Sequence, residues 1–79
     1  MVKFIGHWMF ASRIWNDAPL TPTAINMREV SHIEEMEDIN IGVHTIVFLK
    51  NKEMIPIDGN AIEIFCRISK TFANNLLTI

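Results

Sequence analysis

The side chains best suited to metal binding or nucleophilic chemistry are His7, His32, His44 and Cys66. The three histidines fall 25 and 12 positions apart, which matches no compact metal-ligand motif. No Ser-His-Asp or Cys-His order marks a nucleophile with its base. The glycines stand singly at positions 6, 42 and 59, so no glycine-rich loop is available to cradle phosphate. Paired carboxylates for acid–base work would have to come from "EEMED", Glu34 to Asp38, a run that reads as the solvated end of a hairpin. The expectation is therefore a protein that is not an enzyme and has no metal and no cofactor. If Glu34 paired with Gly42, His32 would face His44, and two facing imidazoles would bind a metal or respond to pH. The plainer reading, two polar residues on a wet sheet face, is the one adopted. Cys66, among apolar neighbours, reads as an inert packed thiol.

Recognition chemistry is better represented. Trp8 and Trp15 are large investments for a short chain, each with an indole N–H that needs a partner. They serve as core or as interface anchors, since Trp and Arg dominate binding hot spots. "SRIW", Ser12 to Trp15, sets Arg13 beside Trp15 ahead of a loop, and an Arg with an aromatic can also stack a base and hold its phosphate. Trp8, Arg13, Trp15 and His44 are the candidate partner- or ligand-binding residues.

These residues must be positioned by a single domain spanning 1–79. At this length only about 60–65% of the unfolded surface is buried, and such domains often lean on disulfides, metals or partners. One cysteine excludes an internal disulfide. The apolar fraction, 49% before three glycines are added, is slightly rich against a typical soluble domain, and a subunit interface is the simplest place for the excess. Net charge is −2 and the seven basic residues are scattered, so the electrostatic footprint of a nucleic-acid binder is missing. No run of about 18 apolar residues is present to span a membrane. The start, "MVKFIGHWMFAS", is broken by Gly6 and His7 and reads as mature structure, with the protein placed in the cytoplasm.

Residues 1–15 read as a strand in preference to a short helix, with Phe4, Trp8 and Phe10 sharing one parity and Gly6 marking a bulge or a close approach. Residues 16–23 read as a loop, on their two prolines and Asn-Asp pair. Residues 24–58 read as a β-meander. A strand ends at the turn-forming Asn26, Met27 to Glu29 turn, and a strand follows from Val30 to Glu35. "DINIG" closes one hairpin and "KNKE" the next, with Asn51 as the left-handed residue at the tip. Pro56 suggests that the last arm is an edge, or that its missing donor faces outward. Residues 59–77 read as a helix opened by the capping box "NAIE", Asn60 to Glu63. Its stripe is Ala61, Phe65, Ile68, Phe72 and Leu76, with fraying expected at the end. The expected fold is α+β: a small antiparallel sheet of about four strands with one C-terminal helix packed on it.

Ile25-Asn26, Val30, Ile33-Glu34, "TIVFL" (Thr45 to Leu49), Asn51, "IPI" (Ile55 to Ile57) and "AIEIFCRI" (Ala61 to Ile68) form a pattern over residues 24–68. The pattern resembles the FlbD-type small motility proteins and, more loosely, the β-half of LytTR domains. The resemblance implies the meander and closing helix. Lys52 departs from the family's usual Gly after the hairpin Asn.

In "HTIVFL", Thr45, Val47 and Leu49 point one way and His44, Ile46 and Phe48 the other. The helix can cover only one of these faces. Ile46 and Phe48 are accordingly expected at an oligomer interface, with the N-terminal run contributing. The function this suggests is a small interaction protein that self-associates, as a homodimer or higher, and docks on a larger protein partner. The alternative is a small-ligand binder of nucleotide type, which phage origin would also suit.

Overall fold

The computed structural model describes residues 2–15 and 19–77, the last seven of these as helical backbone. The strands are β1 (Lys3–Ile5), β2 (Trp8–Arg13), β3 (Thr21–Asn26), β4 (Val30–Asp38), β5 (Gly42–Leu49) and β6 (Met54–Asp58), followed by α1 (Ala61–Leu77). A 3-10 turn over Met27–Glu29 links β3 to β4. The class is α+β as expected, but the sheet has six strands where about four were expected.

The two additional strands come from the N-terminal third. Gly6, at φ 59°, and His7 form a two-residue turn that folds β1 back on β2, with Ile5 opposite Trp8. A left-handed first turn position suits glycine and matches the twist of the flanking strands. This hairpin corrects the expected parity: Phe4 lies opposite Met9 and faces the core, whereas Trp8 and Phe10 face the other way. The expected loop at 16–23 is also corrected, because Thr21 to Thr23 already belong to β3; positions 16–18 lie outside the described residues. β3 pairs only with β2 among the described strands, and an edge strand accommodates Pro22 without losing a ladder bond.

All pairings are antiparallel. β2 lies against β3 along its whole length, and its other edge is shared by β1 at Trp8–Phe10 and β6 at Ser12–Arg13. β5 and then β4 complete the sheet beyond β6. β6 is therefore an interior strand, not the edge that Pro56 suggested. Proline is tolerated there because the ladder to β2 ends beside it, with Ile14 N–H donating to the Pro56 carbonyl at 2.9 Å.

Local chemistry fixes the turns. Asn26 Oδ1 accepts from Arg28 N at 3.0 Å, the expected self-bonded turn. Asp38 Oδ1 accepts from Asn40 N and Ile41 N, clamping the β4–β5 turn. Asn51 Oδ1 accepts from Glu53 N at 2.9 Å. The left-handed residue of that last hairpin is Lys52, at φ 72°, not Asn51. Lys50 and Asn51 occupy the centre of a turn closed by Lys52 N to Leu49 O, and Lys52 then forms the bulge that returns the chain to β6. Glycine fits this position without a Cβ conflict. Lys52→Gly is expected to stabilise the fold by about 1 kcal/mol, which urea denaturation reads as a higher midpoint at unchanged slope.

One face of the sheet carries Met9, Ala11, Ile25, Val47, Ile55 and Ile57, closed over by Ile64 and Ile68 of α1. Asn60 caps the helix as expected, accepting from Glu63 N at 3.0 Å. The buried stripe is rotated from expectation. Ile64 is fully buried, whereas Phe65 is 61% exposed; the side chains of Phe72 and Leu76 lie outside the described residues. Thr45 is buried and donates to the Gly59 carbonyl at 2.9 Å. A Cβ on Gly59 would come within 2.7 Å of Val2, so glycine lets strand and helix meet closely there.

Cys66 is exposed on α1, which overturns the packed-thiol expectation. It should react with a chromogenic disulfide reagent at one equivalent in the folded state, before any denaturant is added. A thiol that reacts only after unfolding would contradict that placement.

Candidate functional site

Register assigns a second, helix-free face. Ser12 lies opposite Asp58, Pro56 opposite Ile46, and Glu34 opposite Ile46 from the other side. Alternation then places two apolar groups on this face, Ile5, Trp8 and Phe10 on β1–β2 and Met54, Ile46, Phe48 and Met36 on β4–β6, with the row Ser12–Asp58 between them. Trp8 and Phe10 are each 40% exposed and Met54 is 56% exposed. Ile46 and Phe48 are half-buried within the sheet surface. The N-terminal hairpin extends the sheet and does not fold across this face.

Phe48 is stacked under the His32 imidazole, with ring centroids 4.2 Å apart and planes 6° from parallel. This contact follows from the true register. Asp38 pairs with Gly42, so His32 faces Phe48 and Met36 faces His44. The conditional His32–His44 pairing therefore does not form. The Asp38 clamp leaves three residues in the turn and carries β4 to Asp38, four pairing positions beyond a Glu34–Gly42 match. A bulge between Val30 and His32 turns those two even-numbered residues to opposite faces. His44 is buried, with Nδ1 3.1 Å from the Gly42 carbonyl, so that bond needs the proton on Nδ1. Among the described residues no three of His, Cys, Asp and Glu stand close enough to hold a metal ion.

The four candidate binding residues occupy three places. Arg13 and Trp15 meet directly: the guanidinium lies 4.1 Å from the indole centroid, and Trp15 Nε1 donates to Thr21 Oγ1 at 2.7 Å. Trp8 is on the opposite sheet face from Arg13, and His44 is on β5, two strands away from β2. They form no single site. Arg13 borders a cavity of about 350 Å³ lined also by Asn26, Glu29, Asn51 and Glu53.

A third feature was missed from sequence. The β4–β5 turn exposes Ile39 completely and Val43 at 60%, next to the exposed acids Glu34, Glu35, Glu37 and Asp38. The signal is present in "DINIG", where two isoleucines, Ile39 and Ile41, stand inside an otherwise turn-forming stretch. The acids also guard β4, which has only β5 as a strand partner among the described residues. No helix among the described residues is long and apolar enough to cross a membrane.

The chain matches no family model, and no curated protein or solved structure shows significant similarity to it.

Proposed function

We propose that this chain is a small non-catalytic interaction protein of the cytoplasm that self-associates through its helix-free sheet face and docks on a larger protein partner. The observation that carries the reading is the apolar surface of Ile5, Trp8, Phe10, Ile46, Phe48, Met36 and Met54 on a sheet whose other face is closed by α1. Exposed apolar surface of this extent on a small chain is often functional. A standard interface takes about 800 Å² from each partner, roughly one-seventh of the 5667 Å² this chain exposes. The aromatic and apolar side chains, with His32, Glu34 and Asp58 interspersed among them, have the mixed composition of such an interface.

The β4–β5 tip supplies the docking element for the larger partner. Its apolar Ile39 and Val43 beside four carboxylates fit an apolar cleft with a basic rim. Sedimentation equilibrium at micromolar concentration tests the self-association. A mass of two or more times 9.1 kDa is the expected result, and a clean monomer overturns it.

A further inference from the structure

We infer that the cavity beside Arg13 is a binding site for a small zwitterion of the α-amino-acid class. It is lined by β2, β3 and the β5–β6 hairpin, none of the residues of the proposed interface lines it, and it is independent of that reading. Three observations converge on it. First, Arg13 is half-buried, and its Nε is buried with no hydrogen-bond partner among the described residues. A buried Nε–H without an acceptor is unfavourable by desolvation, and such a group calls for an ion or ligand to complete it. Among the described residues no ion pair joins Arg13 to Glu29 or Glu53, although all three line the same cavity.

Second, the lining is rich in donors. The side-chain oxygens of Asn26 and Asn51 are committed to Arg28 N and Glu53 N. That leaves the two carboxamide NH₂ groups as donors alongside the Arg13 fork. Donors of this kind around an Arg match a carboxylate, which takes a guanidinium bidentately. The Arg13 guanidinium carbon lies 4.1 Å from the Trp15 ring centroid, a cation–π contact that restrains it.

Third, the charges select among anions. One cation stands with two carboxylates, Glu29 and Glu53. A multiply charged phosphate would meet like charge, whereas an ammonium group beside a carboxylate satisfies both ends of the site. The apolar lining by Ile25, Leu49 and Ile55 suits an aliphatic side chain, and the 350 Å³ volume falls at the small end of ligand pockets.

The test is calorimetric titration of the full chain with the free amino acids and, as a comparison, nucleoside monophosphates. At least one aliphatic amino acid is expected to bind, with Trp15 fluorescence changing on saturation. Arg13→Lys, which keeps the charge but not the fork, should weaken it tenfold or more. Arg13→Gln should abolish binding and leave the circular dichroism spectrum of the free protein unchanged. Glu29→Gln and Glu53→Gln together should weaken the amino acid and leave simple carboxylates such as acetate unaffected. Binding that survives in a folded Arg13→Gln chain overturns the site. Nucleotide binding without amino-acid binding overturns the ligand class, and silence across both panels overturns the proposal.

Discussion

The double variant Trp8→Thr, Phe10→Thr is expected to sediment as a 9.1 kDa monomer at concentrations where the native chain is oligomeric. Both side chains are 40% exposed and lie opposite in parity to the buried Met9 and Ala11, so their removal leaves the core intact. Threonine keeps the β-propensity of the strand. If each aromatic is an interface anchor contributing about 2 kcal/mol, their loss together weakens association by nearly a thousandfold. Circular dichroism should show an unchanged fold. Ile39→Asp is the control: the β4–β5 tip is a separate surface, and its charge should leave the oligomer mass as it was. A double variant with native mass would move the interface elsewhere on the chain.

Ile57→Ala should remove a large share of the chain's stability. Ile57 is fully buried and pairs with Thr45 on one side and Arg13 on the other, so it joins the N-terminal half of the sheet to the C-terminal half. Truncations of this kind cost about 2–5 kcal/mol, including the cavity left behind. A domain of this length has a total stability of order 4–12 kcal/mol. Guanidinium denaturation should therefore find a markedly lower midpoint for the variant. Ile57→Val removes one methylene, costs about 1 kcal/mol and keeps a cooperative transition. A cost below about 1 kcal/mol for the alanine variant would show that β6 does not join the two halves.

The turns are legible in the amino-acid order because their causes lie within a few residues. Asn26, Asp38 and Asn51 bond the backbone two residues on, Asn60 caps the helix, and the β3–turn–β4 boundaries at Asn26 and Val30 follow from them. The two-faced character of β5 is equally plain in its alternation. The strand count is not, because Gly6–His7 can be read as a bulge in one strand or as a turn between two. Only pairing with β2 distinguishes these. The His32–His44 register turns on the length of a single turn.

The sequence by itself determined the α+β class, the local turns and caps, and the presence of two apolar faces around Thr45 to Leu49. Tertiary structure decided which side of α1 is inside. The helix offers both Ala61–Phe65–Ile68 and Ala61–Ile64–Ile68 as stripes, and only packing on the sheet selects Ile64. It also decided that Trp8 and Arg13 lie on opposite faces, that Cys66 is exposed and that Arg13 borders a cavity. The physical reason is common to these cases. Turn and cap chemistry acts over two to four residues, whereas burial depends on which distant strand becomes a neighbour. β6, pairing Ile57 with Arg13 across more than forty residues of chain, is the contact that settles it.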